Sequence, residues 1–401
     1  MGRRGSLLEV LAVAFRLGLT SFGGPVAHIG YFREEYVNRR RWVDESTFAD
    51  LVALSQFLPG PASTKVGISL GILRAGLPGG FLAWLGFTAP SAIALAVLAY
   101  GVAGVGAADR GWLHGLKVVA VAVVAQAIWG MARTLCTDRP RQTMAIAAAV
   151  LAFALPGLGF PSSLAQVTII AVAGLLGWWL LQPTETAASG GARDVHVPIG
   201  HGLAIAAWVA FFALLLVLPL LRGVSDNGVL ALVDGFYRSG ALVFGGGHVV
   251  LPLLQAEVVP PGWVSQEQFL AGYGAAQAVP GPLFTFAAYL GAAYHGAPTG
   301  WLGALIAIAA IFLPGFLLVI GSLPYWQRLR GRADAQGTLR GINASVVGLL
   351  LAAFYQPVWT SAIQDPADFC LGIAAFGLLM FWKTPPWLVV ALTAAVGAVV
   401  T

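Results

Sequence analysis

One constellation of residues occurs twice in this chain, about 220 positions apart, and any fold must accommodate both copies. The first runs Arg16, Gly18, Phe22-Gly23-Gly24, Glu35, Trp42, Phe48, Gln56, Pro59-Gly60-Pro61, Thr64, Leu70-Gly71, Gly76 and Pro78. The second runs Arg238, Gly240, Phe244-Gly245-Gly246, Glu257, Trp263, Phe269, Gln277, Pro280-Gly281-Pro282, Thr285, Leu290-Gly291, Gly296 and Pro298. The spacing slips by only a residue or two, which chance matching of common apolar residues does not produce. The chain is therefore an internal duplication.

Its solvent follows from composition. Of 401 residues, 58% are hydrophobic and only 10% charged, where a soluble globule carries roughly a quarter charged. Apolar runs able to cross ~30 Å of hydrocarbon recur along the whole chain. Thirteen segments are expected, at about 7–32, 48–74, 80–105, 112–134, 142–156, 163–182, 201–221, 228–254, 267–294, 300–322, 341–358, 367–382 and 386–400. Lipid admits only helices or closed barrels, and the runs lack the alternation of barrel strands, so an all-α polytopic membrane protein is predicted. The basic N-terminus leads straight into the polar-studded repeat without a small-residue cleavage site, so no cleaved signal peptide is expected. Two cysteines, Cys136 and Cys370, are too few and too distant for a metal site or disulfide scaffold. The net charge of +5 fits cytoplasmic loops rather than nucleic-acid binding. Trp178, Trp179, Trp382 and Trp387 at segment ends read as an aromatic belt.

Organisation is legible in the same way. Residues 1–182 form the first repeat, 183–200 a polar, Pro/Gly-containing linker, 201–221 an extra apolar helix and 222–401 the second repeat. One additional crossing between two halves with even numbers of crossings turns the second upside down, which predicts an inverted repeat. Basic clusters at Arg3 and Arg4, Arg33 to Arg41, Arg133 to Arg141, and Arg328 to Arg340 share the cytoplasmic side only if the first two segments of each half re-enter rather than cross.

Each of those four segments is also broken near its middle, at Phe22-Gly23-Gly24-Pro25, Pro59-Gly60-Pro61, Phe244-Gly245-Gly246-Gly247 and Pro280-Gly281-Pro282. Gly leaves helical dihedrals freely and Pro cannot donate the next hydrogen bond. Unwound backbone at membrane depth persists only beside protein or a watery cavity. Pro25, Pro61 and Pro282 stand where a new helix would start. Helix starts present unpaired N–H groups and a positive dipole end, so four converging breaks predict a pocket for a small anion near the midplane.

Candidate side chains are few. Arg16 and Arg238 are expected anion contacts, though each also fits a blander role, Arg16 snorkelling to an interface and Arg238 pairing with Asp234 at i,i+4 spacing. Lys65, beside Thr64 past the first Pro-Gly-Pro break, is expected to make the dominant charged contact. Gln56, Ser63, Thr64, Gln277 and Thr285 offer neutral hydrogen bonds, and the backbone near Ala27 offers N–H groups. His28 and His248 flank the Gly-rich breaks and are candidates for proton coupling, as are Glu35 and Glu257; simple hydrogen-bonded or interfacial residues would look the same. No Ser/His, His-Glu-x-x-His or paired-carboxylate constellation suggests an enzyme, and no cofactor is expected.

The Phe-Gly-Gly run, the Gln-x-x-Pro-Gly-Pro motif about thirty residues later and the repetition of both resemble the long-chain chromate ion transporter family over nearly the whole chain. The resemblance implies efflux of chromate across the bacterial inner membrane, driven by the proton-motive force, with sulfate as the isosteric alternative substrate. It places functional positions on Phe22, Gly23, Gly24, Gln56, Pro59, Gly60 and Pro61, and on Phe244, Gly245, Gly246, Gln277, Pro280, Gly281 and Pro282. Two departures between the copies make the half-sites unequal: Gly247-His248 stands against Pro25-Val26, and Phe286 against Lys65. A sulfate or other oxyanion importer and a passive anion channel remain as alternatives. The bilayer is the expected environment, and Gly67-x-x-x-Gly71 suits packing either within a subunit or in a homodimer.

Overall fold

A computed structural model describes residues 6–103, 111–182, 197–244, 246–326 and 333–400. Gly245, the basic residues Arg3, Arg4, Arg328, Arg330 and Arg332, and most of the 183–200 linker lie outside them. The described residues are helical, without a strand. The first half comprises α1 (Leu7–Thr20), α2 (Gly24–Phe32, continued by a π-helical turn Arg33–Arg39), α3 (Glu45–Phe57), α4 (Ala62–Ala103), α5 (Gly111–Leu135), α6 (Arg139–Gly157) and α7 (Ser162–Leu180). Helix α8 (His201–Gly223) follows. The second half comprises α9 (Gly228–Ala241), α10 (Val250–Val258), α11 (Gln266–Ala276), α12 (Phe286–Ala292), α13 (Gly300–Ser322), α14 (Ala333–Ala353), α15 (Pro366–Met380) and α16 (Pro386–Val400). Short 3-10 turns, Gly247–Val249 and Leu283–Thr285, lead into α10 and α12.

Five helical stretches, 62–102, 111–135, 201–223, 300–325 and 336–362, are long and apolar enough to cross a membrane. Their outer faces are greasy: α8 turns Ile205, Val209, Leu216 and Leu220 outward, and α6 and α7 do the same with Ile146, Val150 and Leu175. Such a surface is incompatible with water and suits lipid. The chain is a multi-pass membrane protein.

The breaks divide the remaining segments as their Gly and Pro content predicts. Helices α1 and α3 have 14 and 13 residues, about 20 Å at 1.5 Å per residue, too short for ~30 Å of hydrocarbon. Arg16 pairs with Glu35, and Arg40 pairs with Glu9 at 3.1 Å, so the far ends of α1 and α2 meet and the two arms form a V with its tip at the Gly-rich break. Arg74 bonds the same Glu9 at 3.2 Å and stacks over Trp42, just before α3 begins. The second pair of arms, α3 and the first leg of α4, thus also leaves and returns at one end. Helix α4 then bends at Ala75 and Gly76, whose φ of 71° is left-handed, and runs on as a long spanning leg. Segments 48–74 and 80–105 are hence joined by a kink rather than a loop.

Each half completes its bundle with helices from the other. Helix α5 packs against α15 and α16, whereas α14 packs against α6 and α7. Small residues permit this at matched places: Gly111 and Gly115 meet Gly397 on α16, and Gly337 and Gly341 meet Gly177 on α7. A Cβ at Gly115, Gly177, Gly337, Gly341 or Gly397 would collide with facing backbone, the signature of small-residue helix contacts in lipid. Gly71 packs on Gly79 and Ala83 in the same way, so the Gly67-x-x-x-Gly71 motif serves contacts within the subunit.

Candidate functional site

The four breaks meet, and they do so reciprocally. Gly60 N–H donates to Val243 O at 2.7 Å, and its counterpart Gly281 N–H donates to Ser21 O at 2.9 Å. Val243 and Ser21 themselves occupy matched positions, each one residue before the Phe-Gly-Gly run. The second break of each half therefore bonds the first break of the other half. Gly60 and Gly281 have φ of 98° and 99°, and Gly23 and Gly24 are left-handed too; this is the backbone that glycine supplies without steric cost. Gly18 and Gly240 let the adjacent arms lie on the backbone of Phe87 and Ile311, where a Cβ would collide.

Side-chain caps close some helix starts and not others; α1, α7, α8 and α13 begin without one. Asp44, Asp138, Asn227, Ser265 and Asp365 cap α3, α6, α9, α11 and α15 with their own side chains. Helix α2 starts at Gly23 with no side-chain cap, as do the 3-10 turns before α10 and α12. Its first N–H groups are the unsatisfied donors of a helix start.

A cavity of about 80 Å³ opens at the junction, walled by Gly23, Gly24 and Pro25 from one half and by His248, Gln277, Gly281 and Leu283 from the other. Space of this size holds several waters or one small polyatomic ion. Val123 and Gln126 of α5 and Pro386 before α16 complete the wall. His248 Nδ1 lies 2.8 Å from the buried Tyr273 hydroxyl, and Gln277 Nε2 donates to Tyr273 O at 3.3 Å. Gln126 donates to Leu379 O at 3.4 Å. Gln126 and Tyr273 escaped the sequence reading; a lone glutamine midway along apolar α5 was the available signal.

The other sequence-selected residues fall into three groups. Lys65 is fully buried, off the cavity wall, with Nζ donating to Leu58 O and to Pro59 O, the latter at 2.9 Å. His28 Nδ1 lies 3.2 Å from Ser63 Oγ, and Thr64 is buried beside them. Thr285 Oγ1 donates to Pro282 O at 2.7 Å. Gln56 is exposed on α3, Ala27 sits half-buried in the first turn of α2, and Phe22, Phe244, Pro59 and Pro280 are half-buried at the tips over buried Pro61 and Pro282. Gly246 lines the third break, while Gly245 is outside the described residues. The charged pairs gather away from the tips: Arg16 with Glu35, and Arg238 with Glu257 at 2.8 Å and Asp234 at 2.7 Å. Matched Trp42 and Trp263 each carry a stacked arginine, Arg74 and Arg222, both 5.1 Å from the ring centre. The i,i+4 pair Asp234–Arg238 exists, but Glu257 and Arg222 enlarge it to a four-residue cluster.

The duplication has a counterpart among known proteins. The chromate transporter family profile matches residues 8–178 and 230–398, one match on each half. The chain belongs to the chromate transporter family. Among its relatives in this family, a chromate transport protein of Pseudomonas aeruginosa is 29% identical over 96% of this chain and 90% of its own length. A chromate transport protein of Cupriavidus metallidurans is 26% identical over 98% and 93%. An uncharacterized transporter of the archaeon Methanocaldococcus jannaschii is 24% identical over 86% and 83%. No solved structure matches the chain. Family membership agrees with the absence of an enzyme-like constellation: homologues are named transporters. The family matches flank α8, which lies between them.

Proposed function

We propose that the protein exports chromate from the bacterial cytoplasm across the inner membrane, by alternating access and in exchange for protons. The observation that carries this reading is the reciprocal junction of four broken helices around a small, partly polar cavity. A tetrahedral dianion would be held in this cavity by N–H groups of the uncapped tip at Gly24 and by Gln277; the backbone near Ala27 and the Ser63, Thr64 and Thr285 hydroxyls, behind the wall, are the proposed ligands once the tips move. Hydrogen bonds to a charged acceptor are strong enough to replace water around the ion. Lys65 supplies the fixed positive charge at the Pro-Gly-Pro tip; an ammonium has three donors, and two are occupied by carbonyls. His248, in the cavity wall, is the proposed proton carrier, and His28, which flanks the first Gly-rich break at a different offset, is a second candidate.

The transmembrane arrangement is proposed to be an inverted repeat with two re-entrant hairpins per half. Supporting it, the Glu9–Arg40–Arg74 cluster and the Arg222–Asp234–Glu257 cluster lie toward opposite ends of α4. Arg74 sits at the kink where its long leg begins, and Tyr100, whose hydroxyl accepts from Trp301 N at the start of α13, marks the other end, about 33 Å from Pro78 at 1.5 Å per residue. Single cysteines at Arg39 and Pro261 in a Cys-free background are expected to label from opposite sides of sealed vesicles; labelling from one side ends the inverted reading.

The decisive experiment is chromate flux in proteoliposomes with and without a pH gradient, with sulfate as competitor. Gradient-driven chromate movement supports the coupled exporter. Sulfate movement alone reassigns the substrate, downhill flux indifferent to the gradient makes the protein a channel, and no flux of either ion removes the tip cavity as an oxyanion site.

A further inference from the structure

The ammonium of Lys65 sits in a place where other carriers hold a dissolved ion. It lies on Leu58 O and Pro59 O, the carbonyls at the C-terminal end of α3. That end is the negative pole of the helix dipole. Unwound carbonyls and half-helix C-termini are the oxygen ligands with which transporters seat small monovalent cations. Two buried hydroxyls stand close by along the chain: Ser55, one turn before Leu58, and Thr64, next to Lys65 in sequence, are 1% exposed, and neither Oγ has a partner among the described residues.

The second half has no such seat. Phe286 occupies the matched position, fully buried. The carbonyls that end α11 are satisfied internally, Gly274 O accepting from Gln277 N and Ala275 O from Ala278 N. The carbonyls that match Leu58 O and Pro59 O are those of Val279 and Pro280, and the position that would aim a cation at them holds a phenyl ring instead of an ammonium. Among the described residues the first half alone sets a lysine on these carbonyls, and the chain supplies that cation covalently.

We propose that Lys65 is a tethered cation, held in an oxygen seat of the sodium type at the first Pro-Gly-Pro break, so that carriage needs no dissolved monovalent cation there. Truncating the side chain then uncovers a binding site for small cations that the native protein lacks. This goes beyond the oxyanion reading and does not depend on which anion is carried.

The test uses the purified full-length chain as wild type, Lys65→Ala and Lys65→Met. n-Propylammonium replaces the atoms that Lys65→Ala removes, sodium probes the bare oxygen seat, and choline serves as a cation too large to enter. A cation that binds only the folded variant raises its melting temperature. The expected result is a rise of at least about 2 °C for Lys65→Ala with n-propylammonium or sodium over choline. Wild type and Lys65→Met, whose seats are filled, stay unchanged. In proteoliposomes, anion flux by Lys65→Ala falls at least about tenfold in choline and returns with the same cation. Equal responses of all three proteins, no response of folded Lys65→Ala to either cation, or wild-type flux by Lys65→Met overturns the proposal. If Lys65→Ala yields no folded protein, Lys65→Met decides: flux lost from folded protein upholds the need for the cation, and flux retained refutes it. Melting reads the seat without any anion, so failure of the seat and failure of the chromate reading are separable.

Discussion

The two pairs of hairpin arms share a backbone plan and differ in what they enclose. Around the first pair lie buried Ser21, His28, Ser55, Ser63, Thr64, Lys65, Thr88 and Ser91; at the matched places of the second lie Val243, Val250, Ala276, Phe284, Thr285, Phe286, Phe312 and Gly315. In the first set, Ser21, Ser55, Thr64 and Thr88 hydroxyls and His28 Nε2 have no hydrogen-bond partner among the described residues, and leaving such groups buried costs about 1–3 kcal/mol each. The second set is an aromatic core in which Phe286 stacks on Tyr289 and meets Phe269 and Tyr273 edge-on. Stability alone does not explain the first arrangement. One half carries buried polarity at a cost, and the other is an apolar, aromatic frame. Exposure agrees: α11 buries eight of its residues and α3 buries five, leaving Ala49, Ala53 and Gln56 on an open face.

The largest effect should come from exchanging the two interiors. Phe286→Lys places an ammonium among the Phe269, Tyr273 and Tyr289 rings, a cost of several kcal/mol; no folded monodisperse protein is expected on size exclusion. Next, Arg238→Ala strips Asp234 and Glu257, which are 0% and 8% exposed, of their main partner. A loss of about 3–5 kcal/mol follows from an uncompensated buried charge. Arg16, 45% exposed, shares Glu35 with Arg39 and Arg40, so its loss should cost below about 1 kcal/mol. Chemical unfolding in detergent compares the two; equal costs would mean that the ion clusters are energetically interchangeable.

Smaller still, Gly60→Ala forces a left-handed φ on an L-residue, about 1–2 kcal/mol. Gly281→Ala adds a contact at 2.9 Å with Ser91 Oγ and should cost more; the reverse order would argue against the tighter second-half junction. The smallest change is shared. Asp44→Ala and Ser265→Ala remove matched caps, bonded to Thr47 N and Gln268 N, and each should lower stability by about 1 kcal/mol. A clear difference would show that one hairpin unfolds before the other.

Much of this plan was legible in the sequence, because glycine and proline mark where backbone must leave the helix and the duplication marks the breaks twice. What the sequence withheld is which break meets which. Nothing local links Gly60 to Val243 or Gly281 to Ser21, since each bond joins different halves. Glu35 and Arg16 were both conspicuous, yet their pairing depends on the V between them. Lys65 was recognisable as costly but not as satisfied, because its partners are carbonyls, which no side-chain pattern reveals.

The exchange of helices between halves bears on how a cell makes this protein. Helix α5 is synthesised early, but the neighbours that fit its glycines, α15 and α16, leave the ribosome only after α6 to α14 have done so. Until they arrive, Gly111 and Gly115 face lipid or a chaperone, and the first half stays an unfinished object in the bilayer. Two genes encoding separate halves should therefore yield protein only when expressed together, each copy waiting for the other to close its bundle.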